Sequence, residues 1–517
     1  MPSPVDESER DQLPFPGVAL SPHLARSCRR AGAALCLLIA LAMALNPGHA
    51  FAGEVLIRTS PALQPAFASS IPNYVTRCEP KGKVNVVVRG NGTPVSVDSA
   101  LAQRGNFARA VSLTEGQAFT IRIGTGAGAS TYNVRCLPTD FPQYSAEVSG
   151  PREAAYYLTT PDWSASDLNP PVSYVALFDN NGVPVWWYRS PEAIPTDADL
   201  DPNGDLSWAS ELDGELTFGV PGSVRVEQRN LDGELVNTFQ TVGSPPDFHE
   251  AWPLANGNFL IDSYILQTGI EPFGSPISVV DGSFQEVRPD GSIAYSWSSI
   301  GHMTPAESIR YAYFSFTPYP GLEEDVLDWQ HINSVMPYEN GYLVSFRNTG
   351  AIYYIEKATG EIVWKLGGTH TSKSLKIVDD PEATGDFGSQ HDVRAWPNGT
   401  VSIFDNGTRN IQQPRALNFS INAAAGTDTL IHSFTDPAVK FSACCGSARL
   451  LPGGDWVIAW GAEPPIQEVT PAGNVVFQLA FAKPTFSYRA VPILASQLSL
   501  SSLIDAMNTM YPREPGA

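Results

Sequence analysis

"ENGYLVSFRNTGAIYYIEKATGEIVWKL", residues 339–366, contains two turn signals about twenty residues apart, each followed by a short apolar run. Asn-Gly, Asp-Gly and similar pairs provide the positive φ that tight hairpin turns require. The alternating Val, Ile, Leu and aromatic residues between them are typical of strands. The stretch therefore predicts two linked hairpins, or about four strands.

The same pattern recurs along the chain. The closing turn of each unit appears six times, at intervals of roughly 46 to 69 residues, in "NNGVPVWWY" (180), "LDGELVNTF" (231), "PDGSIAYSW" (289), "ATGEIVWKL" (358), "AGTDTLIHSF" (425) and "PAGNVVFQL" (471). Four-stranded repeats of about 40–50 residues are typical of β-propeller blades. We predict an all-β fold with a six-bladed β-propeller over residues 149–490. A series of sandwiches or a β-helix would also contain short strands, but the paired turns favour the propeller.

The segments on either side differ from the repeats. Residues 53–148 have short alternating runs such as "KVNVVVRG", which predict a small antiparallel β-sandwich domain. Cys78 and Cys136 would form a disulfide there in an oxidising compartment. Adjacent Cys444 and Cys445 have no spacing that suggests zinc. Residues 491–517 form a C-terminal tail with helical spacing.

The N-terminus resembles a secretory signal. Arg26, Arg29 and Arg30 precede the apolar run 31–45, and Ala50-Phe51-Ala52 supplies a small-x-small cleavage site. We predict a signal peptide over residues 1–52 and a periplasmic or secreted protein with no stable membrane insertion after cleavage. An uncleaved anchor is the weaker alternative, because the run is short for a membrane span.

The chain is strongly acidic, with a net charge of -21 and a pI of about 4.7. Such a charge argues against nucleic acid as a partner. It also repels anionic substrates, so any anion site must be built locally from a few cations and N–H groups.

Three of the 8 histidines occur in similar settings. His249 lies in "DFHEAWPLANG", His331 in "VLDWQHINSV" and His391 in "GSQHDVRAWPNG", each a few residues before a turn. Equivalent positions on different blades converge on the propeller axis, so we expect the three imidazoles to gather around one point. The alternative is that each histidine only hydrogen-bonds within its own blade.

Neighbouring residues suggest the chemistry of this site. Three imidazoles are a set that binds zinc, but Arg347 follows in the next strand, and its guanidinium favours an oxyanion over a metal. Asn333 adds a neutral donor. We therefore predict no metal. Trp252, Trp329 and Trp396 are either an aromatic wall for a substrate ring or packing residues, and Asp392 either orients the site or caps a turn.

The stretches "DWQHINSV", "ENGYLVSFRNTGAIYYIEKATGEIVWKLGG" and "FGSQHDVRAWPNGTVSIFDNG" resemble the bacterial arylsulfotransferases that use no PAPS. The resemblance covers most of residues 150–490. It implies a periplasmic six-bladed propeller that moves a sulfuryl group from an aryl sulfate ester to a phenolic acceptor, without a cofactor, by a ping-pong route through a sulfated histidine.

The resemblance also implies a role for each site residue. His391 would be the nucleophile, while His249 and His331 would bind sulfuryl oxygens and shuttle the phenol proton. Arg347 and Asn333 would hold the remaining oxygens. Independently of the resemblance, Trp329 is the tryptophan that we expect to contact the substrate ring. The disulfide that the family's best-studied branch has near its active site joins non-adjacent cysteines, a spacing that this chain lacks.

Two other functions stay open at this level. One is a non-catalytic propeller that binds small molecules, and the other is a sulfate-ester hydrolase with water as acceptor. The sequence leaves the oligomeric state open, with a homodimer through an edge of the sandwich domain as one option.

Overall fold

The computed structural model describes residues 55–79, 82–161, 163–164, 172–191, 193–212, 223–271, 274–309, 316–317, 319, 321–382, 387–408 and 413–513. The predicted signal peptide, residues 1–52, lies outside these ranges. Within them the regular secondary structure consists almost entirely of β-strands, which confirms the all-β prediction.

Two small sheets form the N-terminal part. A three-stranded sheet has the order Leu56–Ser60, Gly82–Arg89, Phe107–Leu113, and a four-stranded sheet has the order Asn73–Arg77, Ser130–Leu137, Ala118–Ile123, Val95–Val97. Their buried residues share one apolar cluster. Asn73–Arg77 and Ser130–Leu137 pair in parallel, so the arrangement is not purely antiparallel as the sequence predicted. The predicted Cys78–Cys136 disulfide is present, and the sandwich itself stays a prediction.

Six further sheets follow, each built around four antiparallel strands. In spatial order within each sheet the strands are Ala490–Ile493, Tyr156–Thr159, Ser173–Asp179, Pro184–Ser190; Ile194–Leu200, Leu206–Glu211, Val224–Arg229, Leu235–Phe239; Pro246–Pro253, Phe259–Ile270, Ile277–Val287, Ile293–Ser298; Ile332–Tyr338, Gly341–Phe346, Ala351–Glu356, Ile362–Gly367; His391–Ala395, Thr400–Asp405, Arg415–Asn422, Thr427–Phe434; and Ser447–Leu450, Trp456–Ala459, Pro465–Val469, Val475–Phe481. The count of six blades and the closure of these sheets into a ring stay predictions.

Shorter elements complete these sheets. Val326–Asp328, Phe316–Thr317, Lys376–Val378 and Tyr144–Val148 add to sheet edges, Trp163–Ser164 pairs with Thr485–Phe486, and 3-10 turns cover Gly126–Gly128, Pro305–Glu307 and Arg347–Thr349. Tyr144–Val148 pairs with Val475–Phe481, so this strand belongs to the last sheet although it precedes residue 149.

The C-terminal tail does two things. Ala490–Ile493 is the edge strand of the sheet that begins the repeats, which joins the end of the chain to its start. The helix Leu500–Met510 then begins at Ser499, whose hydroxyl accepts the Ser502 N–H at 3.1 Å. The helix buries Leu503, Ala506 and Met507, a spacing of three to four that matches the helical prediction.

The turn chemistry explains the hairpins. Gly257 and Gly399, in the turns that follow His249 and His391, have φ of 81° and 82°, a region that favours glycine. The three histidine-bearing segments also share an irregularity, because strand pairing breaks between Pro246 and Ala251, between Ile332 and Ser334, and between His391 and Arg394. Such bulges re-aim side chains at the ends of edge strands.

Candidate active site

The three histidines are all buried near the starts of edge strands. The His249 and His331 rings meet edge to face, with centroids 4.7 Å apart. His391 lies within electrostatic reach of both rings and of Arg347, which together influence its pKa. The three histidines therefore lie close together, as the sequence predicted.

Two of the histidines face carboxylates. Nδ1 of His249 contacts Oδ1 of Asp247, and Nδ1 of His331 contacts Oδ2 of Asp328. His331 has a φ of 57°, and its backbone N–H also donates to Asp328 at 2.9 Å. A carboxylate at Nδ1 places the proton there and stabilises the imidazolium. These two rings are therefore suited to hold and donate protons.

His391 has a different, neutral set of partners. Its Nδ1 lies 3.0 Å from the Ser389 carbonyl oxygen and 2.7 Å from Oδ1 of Asn406, and both atoms are acceptors. Nδ1 must then carry the proton. On the other side Nε2 accepts the backbone N–H of Cys445 at 3.2 Å, so it carries a lone pair. The hydrogen bonds thus define one neutral tautomer, with Nε2 as the nucleophilic atom.

Electrostatics reinforce this neutral state. Burial, followed by the positive charge of Arg347 and the neighbouring histidines His249 and His331, lowers the pKa of His391 well below its usual range. The hydrogen bond to Asn406 acts in the opposite direction and is outweighed. A neutral imidazole is the form that attacks an electrophile.

The segment around Cys445 was not anticipated from the sequence. Cys444 and Cys445 are joined to each other by a disulfide, and Cys445 has a φ of 64°. Asn406 holds this segment too, because its Nδ2 donates to the Cys445 carbonyl oxygen at 3.2 Å. One side chain therefore orients both the imidazole of His391 and the residue whose backbone N–H caps it.

Arg347 connects two parts of the site. Its backbone N–H donates to the His331 carbonyl oxygen at 2.8 Å, and its Nη2 donates to the Ala443 carbonyl oxygen at 2.9 Å. The side chain is half-buried, and Nη1 donates to Oδ1 of Asn348 at 3.0 Å. The guanidinium thus lies between the His331 segment and the disulfide segment.

Asn333 and Trp329 are both fully enclosed. Asn333 donates from Nδ2 to the Gln390 carbonyl oxygen at 2.7 Å, which ties its strand to the one that carries His391. Its Oδ1 has no hydrogen-bond partner within the described chain. Trp329 is 2% exposed, packs in an apolar cluster and donates to Asp281 at 3.1 Å. Its placement favours the packing alternative, and its contact with a substrate ring stays a prediction.

Trp252 and Trp396 lie elsewhere. Trp396 follows the far end of the His391 strand, and both indoles line a cavity of about 620 Å³. The guanidinium of Arg394 lies 4.5 Å from the centre of the Trp252 ring in the same cavity. The three tryptophans therefore do not form one wall.

Asp392 points away from the imidazole of its neighbour. Its carboxylate accepts Arg449 Nη2 at 2.9 Å and forms an ion pair with Arg394 at 2.9 Å. These arginines hold the pKa of Asp392 below its usual range despite the burial. Asp392 is thus part of a buried charge network beneath the site, with these other members: Asp197, Asp199, Glu250, Arg394, Arg449 and Arg489.

One group of residues has an arrangement suited to a metal ion. Asp247, His249 and Asp262 each offer a ligand atom, and these atoms lie within 4.8 Å of one another. The only candidate ligands that the sequence suggested were the three histidines, a set that does not include Asp247 or Asp262.

Four site residues were missed, for different reasons. Asp247 and Asp328 lie two and three residues before their histidines, so the stretches "DFH" and "DWQH" could have predicted these two contacts. Asn406 and Cys445 are 15 and 54 residues from His391, and no local pattern links them to it.

Comparison with known families places the chain. The family model described as Arylsulfotransferase (ASST) matches residues 224–482, which include all three histidines and the disulfide segment. The chain belongs to this family, so the resemblance predicted from the sequence is confirmed. Its members transfer sulfuryl groups between aryl compounds.

Other comparisons add less. No curated protein matches the chain. Among solved structures, virginiamycin B lyase from Staphylococcus aureus aligns with 9% identity over 64% of this chain and 87% of its own, with a TM-score of 0.33. The Dos1 propeller aligns with 10% identity over 67% and 87%, with a TM-score of 0.28. Among the described residues, no helix has the length and apolar character that crossing a membrane requires.

Proposed function

We propose that this protein transfers a sulfuryl group from an aryl sulfate ester to a phenolic acceptor, without PAPS or another cofactor, by a ping-pong route through sulfated His391. The observation that carries the proposal is the tautomer of His391. Its Nδ1 faces two acceptors and its Nε2 bears a lone pair, in a site that also holds two carboxylate-paired histidines.

In the first half-reaction, the Nε2 lone pair of His391 attacks the sulfur of the donor. An Nε2–S bond forms and the S–O(aryl) bond breaks, with its electron pair leaving on the phenolate oxygen. His331 or His249 donates a proton to that oxygen, a general-acid contribution of about 10²–10⁴ in rate. Their carboxylate partners suit them to this role.

The second half-reaction reverses these steps. A phenolic acceptor gives its proton to the same histidine, and its oxygen attacks the sulfur while the S–Nε2 bond breaks. Asn406 matters here because a neutral amide leaves the Nδ1 proton on the ring. The sulfated imidazole then keeps its positive charge and remains a good leaving group.

The sulfuryl oxygens of the aryl sulfate carry negative charge, which the site must stabilise. Arg347 supplies a cation next to His331, and the Cys445 N–H turns from Nε2 to a sulfuryl oxygen once the lone pair is used. Preorganised donors of this kind typically contribute about 3 kcal/mol each to transition-state stabilisation. Asn333 is the further oxygen ligand that the sequence predicted, and Trp329 the predicted ring contact.

The proposal has a structural and a cellular part as well. The six sheets would close into a six-bladed propeller preceded by a β-sandwich, with the histidines at one mouth. Residues 1–52 would direct export, so that the enzyme acts in the periplasm or outside the cell. A homodimer through the sandwich edge completes the proposal.

The test uses 4-nitrophenyl sulfate with and without a second phenol. We expect a burst of nitrophenolate without acceptor, steady turnover with acceptor, and a sulfate-sized mass increase on the intact protein. His391→Ala should abolish the burst and the adduct. His370→Ala, which removes a solvent-exposed histidine, should change neither.

Two other results would reject the proposal in favour of a named alternative. Steady release of inorganic sulfate without acceptor means a hydrolase that uses the same pocket. Binding of aryl sulfates with neither burst nor adduct across several donors means a non-catalytic binding protein.

A further inference from the structure

Two buried carboxylates lie close to His249. Asp247 and Asp262 are 0% exposed, and with His249 they bring three ligand atoms within 4.8 Å of one another. Apart from the contact of Asp247 with Nδ1 of His249, neither acid takes part in the proposed sulfuryl transfer.

The backbone creates this cluster. Pairing between the strands Pro246–Pro253 and Phe259–Ile270 breaks between Pro246 and Ala251, opposite Asp262. The bulge lets the Glu250 N–H donate to Oδ1 of Asp262 at 3.1 Å. The bulged segment therefore wraps around the Asp262 carboxylate and presents Asp247 and His249 to it.

Each acid has an oxygen without a partner. Oδ2 of Asp247 and Oδ2 of Asp262 are fully buried and accept no hydrogen bond within the described residues. A buried polar atom without a hydrogen-bond partner costs about 1–3 kcal/mol, and a charged one costs more. Such a carboxylate oxygen therefore indicates an ion or a water molecule at that position. Two such oxygens in one cluster indicate a shared ligand.

The surrounding charges do not neutralise the pair. Nearby carboxylates have arginine partners, since Asp197 pairs with Arg489 and Glu250 pairs with Arg394. Among the residues that the structure describes, Asp262 has no ion pair, and Asp247 has only its contact with His249. A cation between the two carboxylates would supply the positive charge that this pair of acids lacks.

We infer that Asp247, His249 and Asp262 bind one divalent transition-metal cation, with Zn²⁺ as the best fit. One imidazole and two carboxylates are typical zinc ligands, whereas Ca²⁺ and Mg²⁺ require more oxygens. Among first-row divalent ions, a mixed nitrogen and oxygen site also binds Zn²⁺ more tightly than Mn²⁺.

The cation has a consequence that rests on the proposed function. It places positive charge behind His249, at a site that binds an anion in a chain of net charge -21. The cation would take the place of a ring proton of His249, so the transfer of the phenol proton would fall to His331, which keeps its own carboxylate partner, Asp328. Metal binding itself does not depend on any turnover, so the two proposals fail separately.

The experiment measures zinc binding directly. Purified protein is freed of metal with a chelator and titrated with ZnCl₂ by calorimetry, with metal content confirmed by mass spectrometry. We expect one zinc per chain in the native protein. Asp262→Asn should weaken binding at least about tenfold, because it removes a charged ligand.

Two control variants define the site. Asp428→Asn neutralises another buried carboxylate whose oxygens also lack partners, and it should bind zinc as the native protein does. His331→Ala should also retain zinc, which separates this site from one formed by the three histidines. If Asp262→Asn does not fold, the native protein is loaded with Co²⁺ and its visible absorption spectrum is recorded. Loss of that spectrum when Zn²⁺ displaces the Co²⁺ then tests for the site.

Two results would overturn the inference. One is the absence of stoichiometric zinc or cobalt binding by the native protein, which would mean that the two acids share a proton instead. The other is zinc binding that is lost in His331→Ala but unchanged in Asp262→Asn.

Discussion

The backbone N–H of Cys445 lies 3.2 Å from Nε2 of His391, the atom that the proposed mechanism requires as nucleophile. A backbone donor therefore engages this lone pair. In the proposed mechanism the same donor would pass to a sulfuryl oxygen, and it would then stabilise the group that is transferred.

The disulfide that joins Cys444 to Cys445 should matter for the rate of transfer. In Cys444→Ser/Cys445→Ser we expect the nitrophenolate burst to slow by about tenfold or more, because the Cys445 N–H would be positioned less well and complete removal of such a donor costs about 10²–10³. Stopped-flow absorbance measures the burst. The matched control, Cys78→Ser/Cys136→Ser, should lower the melting temperature and leave the burst rate unchanged. Equal slowing in both variants would contradict the prediction.

Asn406→Asp tests the neutral partner of His391. A carboxylate at Nδ1 would take the proton of the sulfated ring, so the S–N bond would break more slowly. We expect the sulfated intermediate to persist at least about tenfold longer after acceptor is added, by the relation between barrier and rate. Quenched-flow mass spectrometry measures its lifetime. Asn398→Asp, in an exposed turn, serves as the control, and an unchanged lifetime in Asn406→Asp would argue against the role.

Arg347→Ala should remove a cation that compensates sulfuryl charge. We expect kcat/KM for the aryl sulfate to fall by about 10²–10³, the usual loss for such a donor. Arg347→Lys should recover part of this, because lysine keeps the charge without the planar fork. Arg288→Ala, an exposed arginine in a turn, should have no effect. Full activity in Arg347→Ala would remove Arg347 from the site.

Stability should fall as the pH rises from about 4 to 8. Burial raises the pKa of Asp201 to about 7 and that of Asp428 to about 7, from the usual 3.8. The folded state then keeps protons that the unfolded chain has lost, so folding becomes less favourable as these groups ionise. We expect a melting temperature higher at pH 5.5 than at pH 8 by on the order of 5 °C.

Asp428→Asn provides the check on this pH dependence. It removes one of the titrating groups, so the difference in melting temperature between the two pH values should shrink. Scanning calorimetry at both pH values measures it. A native protein that is more stable at pH 8 would contradict the prediction.

Much of the site could be predicted because its residues repeat a local pattern. His249, His331 and His391 occupy equivalent places before turns, and that equivalence was enough to expect them together. The role of Asp392 could not be predicted. From the sequence it could either orient the site or cap a turn, but the strand bulge between His391 and Arg394 directs it to the buried arginines.

The sequence by itself determined the all-β class, the turns, the repeated hairpin pattern and the family, since these depend on residue types at short spacing. Tertiary structure alone decided which nitrogen of His391 carries the proton and which carries the lone pair. That choice depends on Asn406 and Cys445, which reach the imidazole through pairing between distant strands. Hydrogen bonds between segments far apart in sequence leave no periodic signal, because each partner is placed by the packing of the sheets around it.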